Sequence, residues 1–209
     1  MKSKIFLLFV FLFAVVGMQA QTAQKVMEQT AAQLERNGGI KANFEATQFN
    51  GNVEQGTTIG TIYIKGDRFK MESNQALIWF DGKTQWSFYA NSGEVNLTEP
   101  TPEELRLLNP YSFLHLSKQG YRTEMQSVSY QGKSCHDIRL IATRANSQLQ
   151  EMRLVIDKNS YLPYSIRMKQ DGNWFRIRIS QVQVKNKWKD SFFQFHAKDH
   201  PGVEIIDLR

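Results

Sequence analysis

Few residues in this chain could do chemistry, and their spacing argues against most of it. His196 and His200 lie four apart in one short segment. Two histidines so spaced can bind zinc when they share a helix face. Here they follow a strand-like stretch and precede Pro201, and no third ligand is evident, so no metal site is assigned. Cys135 beside His136 invites a nucleophile–base reading. Neighbours on a strand point to opposite faces, so that pair cannot meet. A buried, inert thiol is the expectation for Cys135. His115, in an apolar stretch, is read as a packed or surface residue. Glu103 and Glu104 suit a helix start, and Asp81, Asp157 and Asp171 suit turns. Neither a glycine-rich phosphate loop nor a serine elbow is present. No catalytic residue and no cofactor is assigned, and the chain is not read as an enzyme.

Apolar surface is the more informative feature. The chain carries 14 Phe, 7 Tyr and 4 Trp. Alternating strands put large apolar residues on one face: Ile62 and Ile64, Phe69 and Met71, Ile78 and Phe80, Trp86 and Phe88. Such residues either fill an ordinary β core or line an apolar cavity inside a curved sheet. The residues alone leave both open.

The elements that must position these side chains are legible. Gln21 to Asn37 reads as a helix, with Val26, Met27, Thr30 and Leu34 at near-helical spacing and Gly38-Gly39 as its stop. From Ile40 the period changes to alternation, and about ten strands follow at meander spacing. Asp81-Gly82, Gln131-Gly132 and Asp171-Gly172 mark tight turns. Phe193 to Phe195 and Val203 to Ile206 are read as closing strands. One helical insert interrupts the run: Thr101 caps, Pro102 opens, Glu104 completes a capping box, and Leu105, Leu107 and Leu108 follow before Asn109-Pro110.

The N-terminus has its own pattern. Lys2 and Lys4 precede an apolar run from Ile5 to Val16, too short to span a bilayer comfortably, and Ala20 offers a cleavage point. Residues 1–20 are therefore expected to be a cleavable secretory signal and residues 21–209 a single domain. With no cysteine at the cut, a lipid anchor is not expected. Among 209 residues, 26 Lys+Arg against 20 Asp+Glu give +6, spread without a block of like charge, so nucleic acid is not an expected partner. A single cysteine excludes an internal disulfide.

In order along the chain, four stretches carry a resemblance. They are Ala42-Asn43-Phe44 with Thr47-Gln48; Gly60 to Lys65 running into Arg68-Phe69; Phe80-Asp81-Gly82-Lys83-Thr84-Gln85-Trp86; and Phe193-Gln194-Phe195 followed by Pro201 to Asp207. Asn109 to Leu114 matches a lid segment. The chain resembles the periplasmic outer-membrane lipoprotein carrier family (LolA-like proteins). The resemblance implies a mainly β fold, an incomplete antiparallel β-barrel of about ten to eleven strands with a helical lid over an apolar cavity. It implies a monomeric periplasmic chaperone that shields the acyl chains of lipoproteins, receiving them from an inner-membrane lipoprotein-releasing transporter and delivering them to a possible outer-membrane acceptor. A lipid-binding or sensory module on the same fold is the alternative. Expected cavity walls are Ile62, Ile64, Phe69, Met71, Trp86 and Phe88; expected lid contacts are Leu34, Leu105, Leu108 and Phe113. In one place the chain departs from the family pattern: Gly66-Asp67 follows Lys65 where many members have Arg-Pro, so the family's arginine latch has no counterpart.

Overall fold

Period-2 alternation extends further than its most apolar stretches suggest, and the strands are correspondingly long. The computed structural model describes residues 23–34, 38–89, 92–101, 104–105 and 120–209. Helix α1 covers 23–34. Twelve strands follow: β1 Ile40–Asn50, β2 Val53–Lys65, β3 Arg68–Ser73, β4 Ala76–Phe80, β5 Gln85–Tyr89, β6 Glu94–Thr98, β7 Tyr121–Tyr130, β8 Lys133–Ala142, β9 Leu149–Asp157, β10 Pro163–Gln170, β11 Asn173–Gln183 and β12 Glu204–Asp207. They form one open sheet in the order β12-β6-β5-β4-β3-β2-β1-β11-β10-β9-β8-β7. This is a mainly β fold consistent with an incomplete barrel. The proposed signal, Leu108 and Phe113 lie outside the described residues.

Turn chemistry fixes the register. Tyr130 pairs with Lys133 across Gln131-Gly132, and Gln170 with Asn173 across Asp171-Gly172. All four turn residues have positive φ, the two-residue geometry whose twist matches the flanking strands. At the mid-chain insert the expected capping box is present. The Thr101 N–H donates to Glu104 Oε2 at 2.8 Å, and the Glu104 N–H to Thr101 Oγ1 at 3.3 Å. Hydrogen bonds from Thr101 hold the Glu104 carboxyl below its ordinary pKa.

The inner face, defined by α1, carries the main core. Ala23, Val26 and Met27 pack on Ile138, Leu140, Leu149, Met152, Leu154, Ile156 and Ile166 of β8–β10. Each fully buried aliphatic of this kind contributes roughly 1.5–3 kcal/mol. Thr30, also buried on α1, returns its hydroxyl to the Val26 carbonyl at 3.0 Å, so its burial leaves no orphan.

The C-terminal segment differs from expectation. Phe193 to Phe195 form no strand; a 3-10 turn spans Asp190–Phe193. The segment crosses the outer face instead. Trp188 and Phe192 meet Tyr63 of β2 edge-on, Phe195 and His200 meet Trp79 of β4, and His200 reaches Phe88 of β5. The strap then becomes β12, which pairs parallel with β6 rather than antiparallel. Its long crossing explains the direction: a chain that traverses the face can return either way, whereas a short hairpin cannot. β4 is consequently covered on both sides, and four of its five residues are buried.

Candidate functional site

A second apolar cluster occupies the inner face at the other end of the sheet. Ile64, Phe69, Ala76, Ile78 and Phe80 are buried together, with Ile62, Met71 and Leu105 packed against them. Cross-strand register assembles it. Ile64, Phe69 and Phe80 are directly opposite one another on β2, β3 and β4, and Ile62, Met71 and Ile78 form the next row. The Phe69 and Phe80 rings lie 5.3 Å apart, within the range of favourable aromatic pairs. Leu105, in the capped helical turn of the mid-chain insert, lies on this patch.

Toward β6 the inner face turns polar. Phe80 is opposite Gln85, Ile78 opposite Ser87, and these face Thr98 and Asn96. Gln85 Nε2 donates to Ser87 Oγ at 3.0 Å, while Gln85 Oε1 is buried without a partner. Toward β11 the patch is bounded by β1, where Phe44 is buried. Gly60 makes room for it: a Cβ there would lie 2.8 Å from the Phe44 ring and 2.2 Å from the Glu72 carbonyl.

Four of the expected wall residues, Ile62, Ile64, Phe69 and Met71, are therefore neighbours. Trp86 and Phe88 are not with them. Their partners are Trp79 with Trp86 and Leu77 with Phe88, which places both on the outer face beneath the strap. The hairpin's even-numbered loop pairs even residues of β4 with odd residues of β5, so Phe80 could not share a face with Trp86. That parity is available in the sequence and also identifies the missed members, Ile78 and Phe80. Of the expected lid contacts, Leu105 sits on the patch and Leu34 is buried at the end of α1.

The cations at the β2–β3 turn are engaged elsewhere. Lys65 Nζ and Arg68 Nη1 lie 2.9 and 2.6 Å from Asp190 Oδ1. Lys65 also donates to the Trp188 carbonyl, and Arg68 to that of Asp81. They hold the strap, with Lys65 the chief influence keeping the Asp190 carboxyl below its ordinary pKa.

Residues that could do other chemistry are dispersed. Cys135 is buried on the outer side opposite Asp157, while His136 faces Ile156. Burial raises the Cys135 thiol pKa and lowers that of His136. Burial alone would raise the Asp157 carboxyl, but hydrogen bonds from Ser160, Asn159 and Tyr164 outweigh it and hold it low. His196 binds the Ser191 carbonyl and His200 stacks on Phe195. No helix among the described residues is long and apolar enough to cross a membrane.

Comparison with known proteins agrees with this architecture. The chain superposes on an uncharacterized conserved protein from Thermus thermophilus with a TM-score of 0.61, at 9% identity over 89% of this chain and 99% of the other. It superposes on the Mycobacterium tuberculosis lipoprotein LppX with a TM-score of 0.52, at 8% identity over 81% of this chain and 98% of the other. At such identities the likeness is one of fold. No curated protein matches the sequence significantly. Residues 13–172 match the family described as outer membrane lipoprotein carrier protein LolA. That match spans most of the chain and takes in every strand of the inner-face patch, so the chain belongs to the LolA outer membrane lipoprotein carrier family.

Proposed function

We propose that this protein is a periplasmic carrier that shields the acyl chains of lipoproteins between the inner and outer membranes. The observation that carries the reading is the inner-face patch of β2–β4: two apolar rows, bordered by a polar edge and overlaid by Leu105 of the mid-chain insert. Exposing an acyl chain to water costs about 0.8 kcal/mol per CH₂, so a soluble ferry must bury it. An aliphatic and aromatic floor supplies burial without fixing a shape. Met71, unbranched and adaptable, suits chains that must also leave. Gln85, Ser87 and Asn96 lie where the polar end of an acylated group would emerge, and the free Gln85 Oε1 can accept an amide N–H from it. The carrier is not an enzyme in this reading; it receives cargo from an inner-membrane releasing transporter and passes it to an outer-membrane acceptor.

Purified protein incubated with spheroplasts should bring an acylated lipoprotein into the supernatant as a stable complex, and should ignore the same protein lacking its acyl groups. Equal release of both forms, or of neither, overturns the proposal. Recovery of free phospholipid without lipoprotein would favour the lipid-binding module instead.

A further inference from the structure

The outer face carries a row of arginines that neither the core nor the strap uses. Arg139 of β8, Arg153 of β9, Arg167 of β10 and Arg176 of β11 are directly opposite one another in register. At the ordinary strand spacing such a row of four spans about 14 Å. Like charges placed directly opposite destabilise a sheet. Carboxylates relieve part of the cost: Arg139 pairs with Glu151 at 2.7 Å, Arg153 with Asp137, and Arg176 with Glu54 at 3.1 Å. Arg167, exposed at the middle of the row, has no carboxylate partner among the described residues. Its guanidinium lies 4.9 Å over the Trp174 ring, as that of Arg176 does over Phe49. Lys169, two residues beyond Arg167 on the same face, is directly opposite Trp174.

The same face adds one exposed aliphatic group. Ile59 follows Arg178 and Glu45 in the adjacent row and is 62% exposed. Trp174 and Phe49 lie beside the two hairpin turns.

We propose that this outer face docks on a membrane surface rich in anionic phospholipid. Arg167 and Lys169, which have no ion pair among the described residues, can meet phosphates directly, and each Lys or Arg near such a surface adds roughly fivefold in affinity. The amphipathic Trp174 ring beside Arg167 fits the headgroup layer, and exposed Ile59 fits the acyl boundary beneath it. An acidic protein would satisfy the arginines but leave Ile59 and the Trp174 ring unanswered, which is why the membrane is the occupant chosen. The inference goes beyond cargo carriage and does not depend on it.

Sedimentation of the purified protein without residues 1–20, the expected signal, tests it with vesicles. Vesicles of phosphatidylcholine with about one-third phosphatidylglycerol should retain the protein at low salt, and phosphatidylcholine alone should not. Retention should fall steeply at ~0.5 M salt. Arg167→Glu with Lys169→Glu should weaken binding at least tenfold, and Ile59→Asp should weaken it less. Lys25→Glu on α1 with Lys83→Glu in the β4–β5 turn makes the same charge change away from this face and should bind like the parent. Absence of binding to anionic vesicles overturns the proposal, as does equal loss in the control pair. So does capture by an acidic protein without any vesicle binding. Thermal melts of each variant separate lost docking from lost folding.

Discussion

Two apolar clusters share the inner face of one sheet, and they are built differently. Under α1, Ile138, Leu140, Leu154 and Ile156 are 0% exposed, and the helix covering them belongs to the same packed unit. On β2–β4, Ile62 and Met71 stay partly exposed, and the element above is a mid-chain insert represented by Leu105. A permanent core needs tight closure, because every gap forfeits contacts. A binding face needs a floor that stays apolar while its cover can change. The contrast places the closed core at one end of the sheet and, in the function proposed above, the cargo face at the other.

The largest test of that partition is Leu154→Ala. A cavity in the closed cluster should cost about 3 kcal/mol, lowering Tm by roughly 6–12 °C in a chain of this size. Binding of a fluorescent fatty acid by the folded fraction should be unchanged; a matching loss of affinity would erase the partition. Next comes Gly60→Val, at the boundary between clusters. Its side chain would meet the Glu72 carbonyl and the Phe44 ring, so destabilisation of about 1–3 kcal/mol is expected in denaturant melts. Adding Phe44→Leu should recover only part, because the backbone contact remains. An intermediate effect is expected from Ile62→Asp. A carboxylate on the open patch should weaken the fatty-acid probe about tenfold or more while moving Tm less than Leu154→Ala does.

Asp190→Asn should have the smallest effect, since the Asp190 ion pairs are solvent-exposed and screened. The carboxyl's folded pKa lies below its ordinary value. The pairs therefore stabilise the strap above the unfolded pKa, and that contribution fades as pH falls through the folded one. Melts of the two proteins should differ slightly at neutral pH and low salt, and converge in acid or high salt. A difference that persists in acid would mean that Asp190 acts through something other than its charge.

Much of the fold is written locally. The strands follow alternation, the hairpins follow Asp171-Gly172 and Gln131-Gly132, and the mid-chain cap follows Thr101 and Glu104. Ile62, Ile64, Phe69 and Met71 can be grouped because a two-residue turn joins their strands. Trp86 and Phe88 fall one step of register away from the expected wall, and one step inverts every side chain. The expected closing strand at Phe193–Phe195 is missing for another reason: aromatic residues favour strands only when a neighbouring strand is there to receive them.

By itself, then, the sequence determined the family, the period of each element and the composition of the apolar faces, since those depend on neighbours a few residues apart. Tertiary structure alone decided that the C-terminal strap covers the outside of β4 and β5, that β12 runs parallel to β6, and that Lys65 and Arg68 hold Asp190. Those contacts join residues more than a hundred positions apart. No local preference encodes them; they form because β4 and β5 present aromatic rings outward that would otherwise meet water.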